Sequence, residues 1–329
     1  QAENVKVVAL DINLHFNVLC CVYENKCICT YNLTNGEVLQ CKTVRKCPSA
    51  VNITNTNNAM VILVSDKAGD VYAINGTDLT LQTHILGHTA SIITDMEMIH
   101  TDTFPSTKEF LVTCDRDEHI RVSHFPYVCN IESYCVGHRG VVVSIGCLSI
   151  PSVSASLTPS HVIVSASWDN TVCLWTIGGV LLDTFVNPFK PLTEKSNSST
   201  IEQDGVTSGQ TDEEFDLKNA GGVPMKISCL SSTNSNLVAV MYRGVPSISI
   251  ISVSMNATMN TSTGIGFSPY HTLCIPLDDI PADIALTTVD NTIQLIVLLP
   301  APRYIVSYTI TMNQFQEDKT PEYSINKLG

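Results

Sequence analysis

The stretch Ser165-Ala166-Ser167-Trp168-Asp169-Asn170-Thr171-Val172-Cys173-Leu174-Trp175 decides the fold. It alternates small, β-branched and aromatic residues around a polar Trp-Asp-Asn corner, the signature of two strands joined by a tight turn. Two further copies precede it. One is Thr113-Cys114-Asp115-Arg116-Asp117-Glu118-His119-Ile120-Arg121-Val122-Ser123, and a weaker one is Ser65-Asp66-Lys67-Ala68-Gly69-Asp70-Val71-Tyr72-Ala73-Ile74. Superposing the three brings Ile74, Ser123 and Trp175 to one position, at intervals of 49 and 52 residues. Gly87-His88 and Gly137-His138, 50 residues apart, stand ahead of the two stronger copies. A period of this length, made of strands alone, marks a radial repeat.

The rest of the chain agrees. Short runs rich in Val, Ile and Thr recur between Asn, Asp and Gly, among them Val18–Tyr23, Cys27–Tyr31, Val162–Ala166, Leu237–Tyr242, Ile248–Val253 and Ile293–Leu298. No stretch keeps a 3.6-residue apolar period for the ~10 residues a helix needs. The repeats resemble WD40 repeats, and the fold class expected is all-β, a WD40-type β-propeller. Six blades are read at 5–40, 51–86, 90–136, 140–185, 224–275 and 281–312. The whole chain, 1–329, reads as a single domain. Residues 186–223 read as an acidic, disordered insertion between blades, with three Lys against seven Asp and Glu.

In WD40 repeats a His ahead of the blade, a Ser or Thr in its second strand, an Asp at the turn and a Trp in its third strand form a buried hydrogen-bonded set. The resemblance assigns these roles to His138, Ser165, Asp169 and Trp175, and in the preceding blade to His88, Thr113 and Asp117, with Ser123 in the place of Trp. Ser165, His138 and Asp169 have the residue types of a hydrolase triad. A satisfied buried polar set explains them better, and no G-x-S-x-G elbow is present. Phosphate-cradling glycine loops and metal-ligand spacings are also missing, so no catalytic, cofactor-binding or metal-ligating residue is assigned.

Of 329 residues, 18 are Lys or Arg and 31 Asp or Glu, a net charge of −13. That balance excludes a protein whose own surface grips nucleic acid or a basic membrane-surface protein. No apolar run approaches a transmembrane span. The thirteen cysteines are scattered through apolar runs and read as small buried hydrophobes in a reducing, intracellular setting. Six Asn-x-Ser/Thr sequons, at Asn32, Asn52, Asn75, Asn197, Asn256 and Asn260, carry little weight in a chain this rich in those residues. The chain opens at Gln1 without a leader, which reads as a fragment.

Three strings are more specific than the generic repeat. Asp66-Lys67-Ala68-Gly69-Asp70-Val71-Tyr72, then Asp115-Arg116-Asp117 with Ile120-Arg121-Val122-Ser123, then Ile131-Glu132-Ser133-Tyr134-Cys135-Val136-Gly137-His138 occur in that order. They resemble the WD-repeat, non-catalytic subunit of the eukaryotic tRNA (guanine-N7) methyltransferase, closely over about 60–175 and loosely to about 312. The resemblance implies a seven-bladed propeller, with a first blade segment and a Lys-rich tail lying outside this chain. It implies a non-enzymatic scaffold in a heterodimer. The catalytic partner binds S-adenosylmethionine, makes most of the contact with tRNA and forms N7-methylguanosine at position 46 of the variable loop. No cofactor is expected in this chain, no membrane, and the nucleus is the expected compartment, with the cytoplasm second.

Lys67, Arg116, Arg139 and Ser144 are the expected neighbours of the partner, because tight turns and interblade loops emerge on one side. One departure stands out. The family tends to show Glu-Phe-Val-Ser and then a basic residue after the second Gly-His, where this chain has Arg139-Gly140-Val141-Val142-Val143-Ser144. Ser144 falls where the basic residue would be. The competing reading is a general WD40 adaptor, for instance a substrate receptor of a ubiquitin ligase.

Overall fold

The computed structural model describes residues 5–56, 58–80, 82–101, 108–150, 161–189, 222–231, 236–255, 265–289, 292–300, 305–312 and 323–328. Most of the acidic insertion read at 186–223 lies outside these. Every regular element described is a strand, and the strands form six four-stranded antiparallel sheets. Blade 1 holds β1 (Val7–Asn13), β2 (Val18–Tyr23), β3 (Cys27–Asn32) and β4 (Val38–Thr43). Blade 2 holds β5 (Pro48–Thr56), β6 (Ala59–Asp66), β7 (Asp70–Asn75) and β8 (Gln82–Gly87). Blade 3 holds β9 (Ile93–Thr101), β10 (Lys108–Asp115), β11 (Ile120–Phe125) and β12 (Ile131–Cys135). Blade 4 holds β13 (Val142–Ser149), β14 (His161–Ser167), β15 (Thr171–Thr176) and β16 (Leu181–Val186). Blade 5 holds β17 (Pro224–Ser231), β18 (Asn236–Tyr242), β19 (Ser247–Met255) and β20 (Ile265–Pro276), and blade 6 holds β21 (Asp283–Val289), β22 (Thr292–Leu298), β23 (Ile305–Met312) and β24 (Tyr323–Leu328).

Strand composition follows radial position. The second strands are buried on both faces, so β14 (HVIVSAS) and β18 (NLVAVMY) read as continuous apolar runs. The fourth strand is an edge: β4 exposes five of its six residues and carries Gln40 and Lys42. The inner strands β5 and β9 mix apolar and polar residues. Edge and inner strands therefore lack the apolar signal that makes second and third strands legible in the sequence.

Successive blades press together through five apolar clusters, one at each seam from blade 1 to blade 6. The seam between blades 3 and 4, for example, buries Val112, Ile120, Val122, Ile145, Ile163 and Trp175. Among the described residues no such cluster joins blade 6 to blade 1, and β1 leaves Leu10 and Ile12 about half exposed.

Two cysteines depart from the sequence reading. Cys29 and Cys41 face each other across β3 and β4, with Cα atoms 4.2 Å apart, and form a disulfide. Cross-strand neighbours on one face of a sheet bring their sulfur atoms together whatever their spacing in the chain. The other eleven are free, and Cys20, Cys21, Cys114, Cys135 and Cys173 are buried as expected of small apolar residues.

Polar groups on the inner strands stitch the seams. Asp11 Oδ2 accepts from the Ile53 amide at 2.6 Å, and Asp95 Oδ2 from the Ile145 amide and the Ser144 hydroxyl, both at 3.0 Å. Ser228 Oγ accepts from the Leu286 amide at 2.9 Å in the seam between blades 5 and 6. Burial raises the carboxyls of Asp11 and Asp95. Glu97, two residues along β9 from Asp95, is pushed up to about 8, first by burial and then by the charges of Asp95 and Asp11.

A carboxyl raised in the fold loses stability as pH climbs from its ordinary value of 4.5 to about 8, because the unfolded chain ionises first. The expectation is that Glu97→Gln melts above the parent protein by a margin that widens between pH 4.5 and about 8 and then stays flat. Melting temperatures of both proteins across that range provide the check, and a pH-independent margin would show that Glu97 does not titrate in this window.

Candidate functional site: interblade tethers and the turn face

In blade 4 the tight turn 168–170 and the interblade loop 136–141 meet over the end of β14. Trp175 Nε1 donates to Ser165 Oγ at 2.7 Å, and His138 Nε2 lies 2.7 Å from the same oxygen. His138 Nδ1 donates to Asp169 Oδ2 at 2.8 Å. The other Asp169 oxygen accepts from the Thr171 amide at 3.0 Å and its hydroxyl at 2.6 Å. Ser165, Trp175 and the His138 side chain are shut off from solvent. Glycines bracket the imidazole for a steric reason: a Cβ on Gly140 would come within 2.8 Å of the Asp169 amide nitrogen, and one on Gly137 within 3.0 Å of Trp175.

The pair is electrostatically coupled. Burial pulls the His138 imidazole down, but its hydrogen bond to the Asp169 carboxylate, with Cys173 also beside it, outweighs that and holds it up to about 9. Burial pushes Asp169 up, yet His138 and Thr171 hold it at about 2. Ser165 Oγ has two lone pairs and so accepts from both the imidazolium and the indole.

Blade 3 builds the same tether with a different aspartate. His88 Nδ1 meets Asp115 Oδ2 at 2.7 Å, and Nε2 meets Thr113 Oγ1 at 2.8 Å. Asp117, the residue assigned by analogy with Asp169, is half exposed and lies 3.6 Å from Arg116. Its amide donates to Asp115 Oδ1, as does that of His119. The correction has a plain cause. Asp115, the last residue of β10, is buried on the same side as Thr113, so one carboxylate both caps the turn and holds the imidazole. In blade 4 that place belongs to Ser167, and the carboxylate comes two residues later. A signal was present in the sequence, since Asp66 and Asp115 coincide in the 49-residue superposition.

Blade 2 lacks the imidazole. Asp66 Oδ1 caps its turn through the amides of Ala68 and Asp70, while Oδ2 is buried without a hydrogen-bond partner. Apolar Val44, Val64 and Ile74 line the space beside it, and Lys46 Nζ stands 3.8 Å away. In blade 3, Ser123 is buried in the place of Trp175 and its hydroxyl accepts from Arg121 Nε at 2.9 Å.

The turn face carries three of the four predicted contact residues. Lys67, Arg116 and Arg139 are exposed, and each is fixed through its amide. Lys67 donates to the Cys47 carbonyl, Arg116 to the Ile92 carbonyl and Arg139 to Asp169 Oδ2. Ser144 does not join them. It lies in β13 beyond a register shift, is 3% exposed and gives its hydroxyl to Asp95. It is a seam residue. Among the described residues no group of three or more His, Cys, Asp or Glu is placed to hold a metal ion.

Leaving buried hydrogen-bonding groups without their partner costs about 1–3 kcal/mol each, whereas surface changes stay within about 0.5 kcal/mol. Asp115→Ala is therefore expected to destabilise strongly and Asp117→Ala hardly at all, as read by urea denaturation. The His138–Asp169 tether has its own pH window. The His138 contribution is complete below 6.5 and fades as pH rises through about 9; that of Asp169 is complete above 3.8 and fades toward about 2. The stability gap between the parent and His138→Asn should peak between those limits and shrink toward pH 9.

With this geometry in hand, comparison with known proteins is direct. The family described as the tRNA methyltransferase TRM82 WD40 domain matches residues 75–292. Among curated proteins, the tRNA (guanine-N(7)-)-methyltransferase non-catalytic subunit TRM82 of Meyerozyma guilliermondii is 33% identical over 158 residues, 41% of this chain and 34% of that protein. The non-catalytic subunit wuho of Drosophila pseudoobscura pseudoobscura is 31% identical over 150 residues, 45% of this chain and 33% of that protein. TRM82 of Saccharomyces cerevisiae is 28% identical over 167 residues, 48% and 34% of the two chains. The matching part thus spans about a third of the length of these relatives. A chain from the crystal structure of a mitotic checkpoint complex superposes with a TM-score of 0.58 at 12% identity, covering 90% of this chain and 72% of that one, which speaks for the fold alone. The family match covers well over half of the chain, from the end of blade 2 into blade 6, and the chain belongs to the TRM82 WD40 domain family.

Proposed function

We propose that this chain is the non-catalytic propeller subunit of a tRNA (guanine-N7) methyltransferase. It acts as a rigid scaffold that stabilises and activates an S-adenosylmethionine-dependent partner in a heterodimer. The partner carries the cofactor and most of the tRNA contact, and the product is N7-methylguanosine at position 46 of the variable loop. The nucleus is the proposed compartment. The observation that carries this reading is the family match over residues 75–292, supported by relatives that bear the name of that subunit.

The geometry supplies the means. Partner binding needs a surface that keeps its shape, because every side chain frozen on association costs free energy. Lys67, Arg116 and Arg139 project from turns whose backbones are already fixed by hydrogen bonds. These three cations stand exposed on one side of a protein of net charge −13, and they fit acidic groups on the partner.

Co-expression of the full-length protein with the methyltransferase subunit of its own organism tests this. The pair should co-purify and methylate tRNA guanosine at N7, while the methyltransferase alone is far less active. Lys67→Glu, Arg116→Glu and Arg139→Glu combined should weaken association at least tenfold at low salt, with the melting temperature unchanged. Failure of the unsubstituted pair to associate, together with unchanged tRNA methylation in cells lacking this protein, would overturn the assignment.

A further inference from the structure

Blade 1 carries a line of three cysteines that the scaffold role does not use. The strand registers pair Cys21 with Cys29 and Cys29 with Cys41, so the three form one row across β2, β3 and β4. Direct neighbours in a sheet share a face. Here it is the face turned away from blade 2, since Cys20, Val22 and Ile28 fill the seam between the two blades. Cys29 is joined to Cys41, and Cys21 is free. All three precede the stretch that the family match covers.

The row suits exchange of the disulfide. The Val44 amide donates to the Lys26 carbonyl and the Leu33 amide to the Asn17 carbonyl, which sets the phase of both ladders. Cys29 and Cys41 then form a close, non-hydrogen-bonded pair, and Cys21 and Cys29 a wide one with Cα atoms about 5.5 Å apart. That separation lies inside the range a disulfide spans, about 4.4–6.8 Å. Cys29 therefore has a sulfur partner on either side. An entering thiolate approaches along the axis of the bond it breaks, and a row at right angles to the strands presents Cys21, Cys29 and Cys41 in that order.

Access differs along the row. Cys41 is exposed on the edge strand β4, whereas Cys21 and Cys29 are 7% and 6% exposed. The hydroxyls of Tyr23 and Tyr31 meet at 2.6 Å above that same face. Tyr23 lies two places beyond Cys21 in β2, and Tyr31 two places beyond Cys29 in β3. The strands are antiparallel, so the bond between the two rings crosses over the Cys21–Cys29 pair and covers it.

We propose that Cys41, Cys29 and Cys21 form a relay that accepts oxidation from a low-molecular-weight disulfide at the surface and stores it at the covered pair. The Cys41 thiolate attacks the small disulfide, forming a mixed disulfide and releasing one small thiolate. The Cys29 thiolate attacks the Cys41 sulfur and releases the second, which gives the Cys29–Cys41 bond of the structure. The Cys21 thiolate then attacks Cys29. A Cys21–Cys29 bond forms, the Cys29–Cys41 bond breaks, and its electron pair leaves on Cys41, restoring the surface thiol. In sum, Cys21 and Cys29 lose two electrons and two protons, and one small disulfide becomes two thiols.

The test exposes the reduced full-length chain to glutathione disulfide at about pH 8.5, where an ordinary thiol is half ionised, and blocks free thiols with iodoacetamide at successive times. Trypsin cuts after Lys26 and Lys42, which places Cys21 on one peptide and Cys29 with Cys41 on the next. Mass spectrometry should find the Cys29–Cys41 bond within one peptide, followed by a bond joining the two peptides with Cys41 alkylated. Cys21→Ser should stop at the first of these. Cys41→Ser alters an exposed position, so its melting temperature should match the parent, and its covered pair should oxidise about tenfold more slowly. Absence of the joined peptides in the parent, their presence in Cys21→Ser, or oxidation of Cys41→Ser as fast as the parent would each overturn the proposal.

Discussion

A four-stranded sheet with apolar residues on both faces cannot stand alone in water, and that constraint governs everything else in this molecule. The second and third strands of blade 4 hide Val162, Val164, Val172 and Leu174 on one side and Ile163, Cys173 and Trp175 on the other. A blade of this kind therefore needs a neighbour on each face, and the radial arrangement supplies both for blades 2 to 5 with one repeated element. Burial of this kind is non-directional. It brings blades together without fixing how each turn sits against the next interblade loop.

Directionality comes from the polar tethers. In blades 3 and 4 a carboxylate joins the tight turn to a histidine from the preceding loop, and each pair is closed by a hydroxyl in the second strand. Replacing a buried ion pair by well-packed apolar groups is often neutral, while removing one partner is costly. Blade 2 illustrates the contrast. It replaces the imidazole with apolar neighbours but keeps the carboxylate, and one buried Asp66 oxygen has no hydrogen bond, only the Lys46 ammonium 3.8 Å away. The turn cap, which uses the other oxygen, is what retains the aspartate there.

How much of this was legible in the sequence depends on where each residue sits. Blade count and the His138, Ser165, Asp169 and Trp175 set could be read because second and third strands carry unbroken apolar runs around a turn of recognisable chemistry. Asp115 was missed because the fold fixes a place in space, and two alternate residues on the same side of a strand can reach it. Ser144 was misplaced because a register shift at the start of β13 turns it inward, which no spacing rule foresees. The Cys29–Cys41 pair is a matter of cross-strand register.

The charge of the protein needs the same spatial reading. A net −13 suggests a surface hostile to any polyanion, yet several of the acids are interior. Asp66 and Asp115 are buried turn caps, Asp11 and Asp95 stitch the inner strands, and Asp169 faces a histidine. Glu97, pushed up to about 8 by burial and its neighbours, is largely uncharged at neutral pH. The formal count thus overstates the field by the charge that Glu97 and the His138–Asp169 pair cancel, while Lys67, Arg116 and Arg139 are exposed on one face, Arg116 beside Asp117. A count over the whole chain therefore does not fix the sign of the field at the turn face, which is set by the charges exposed there.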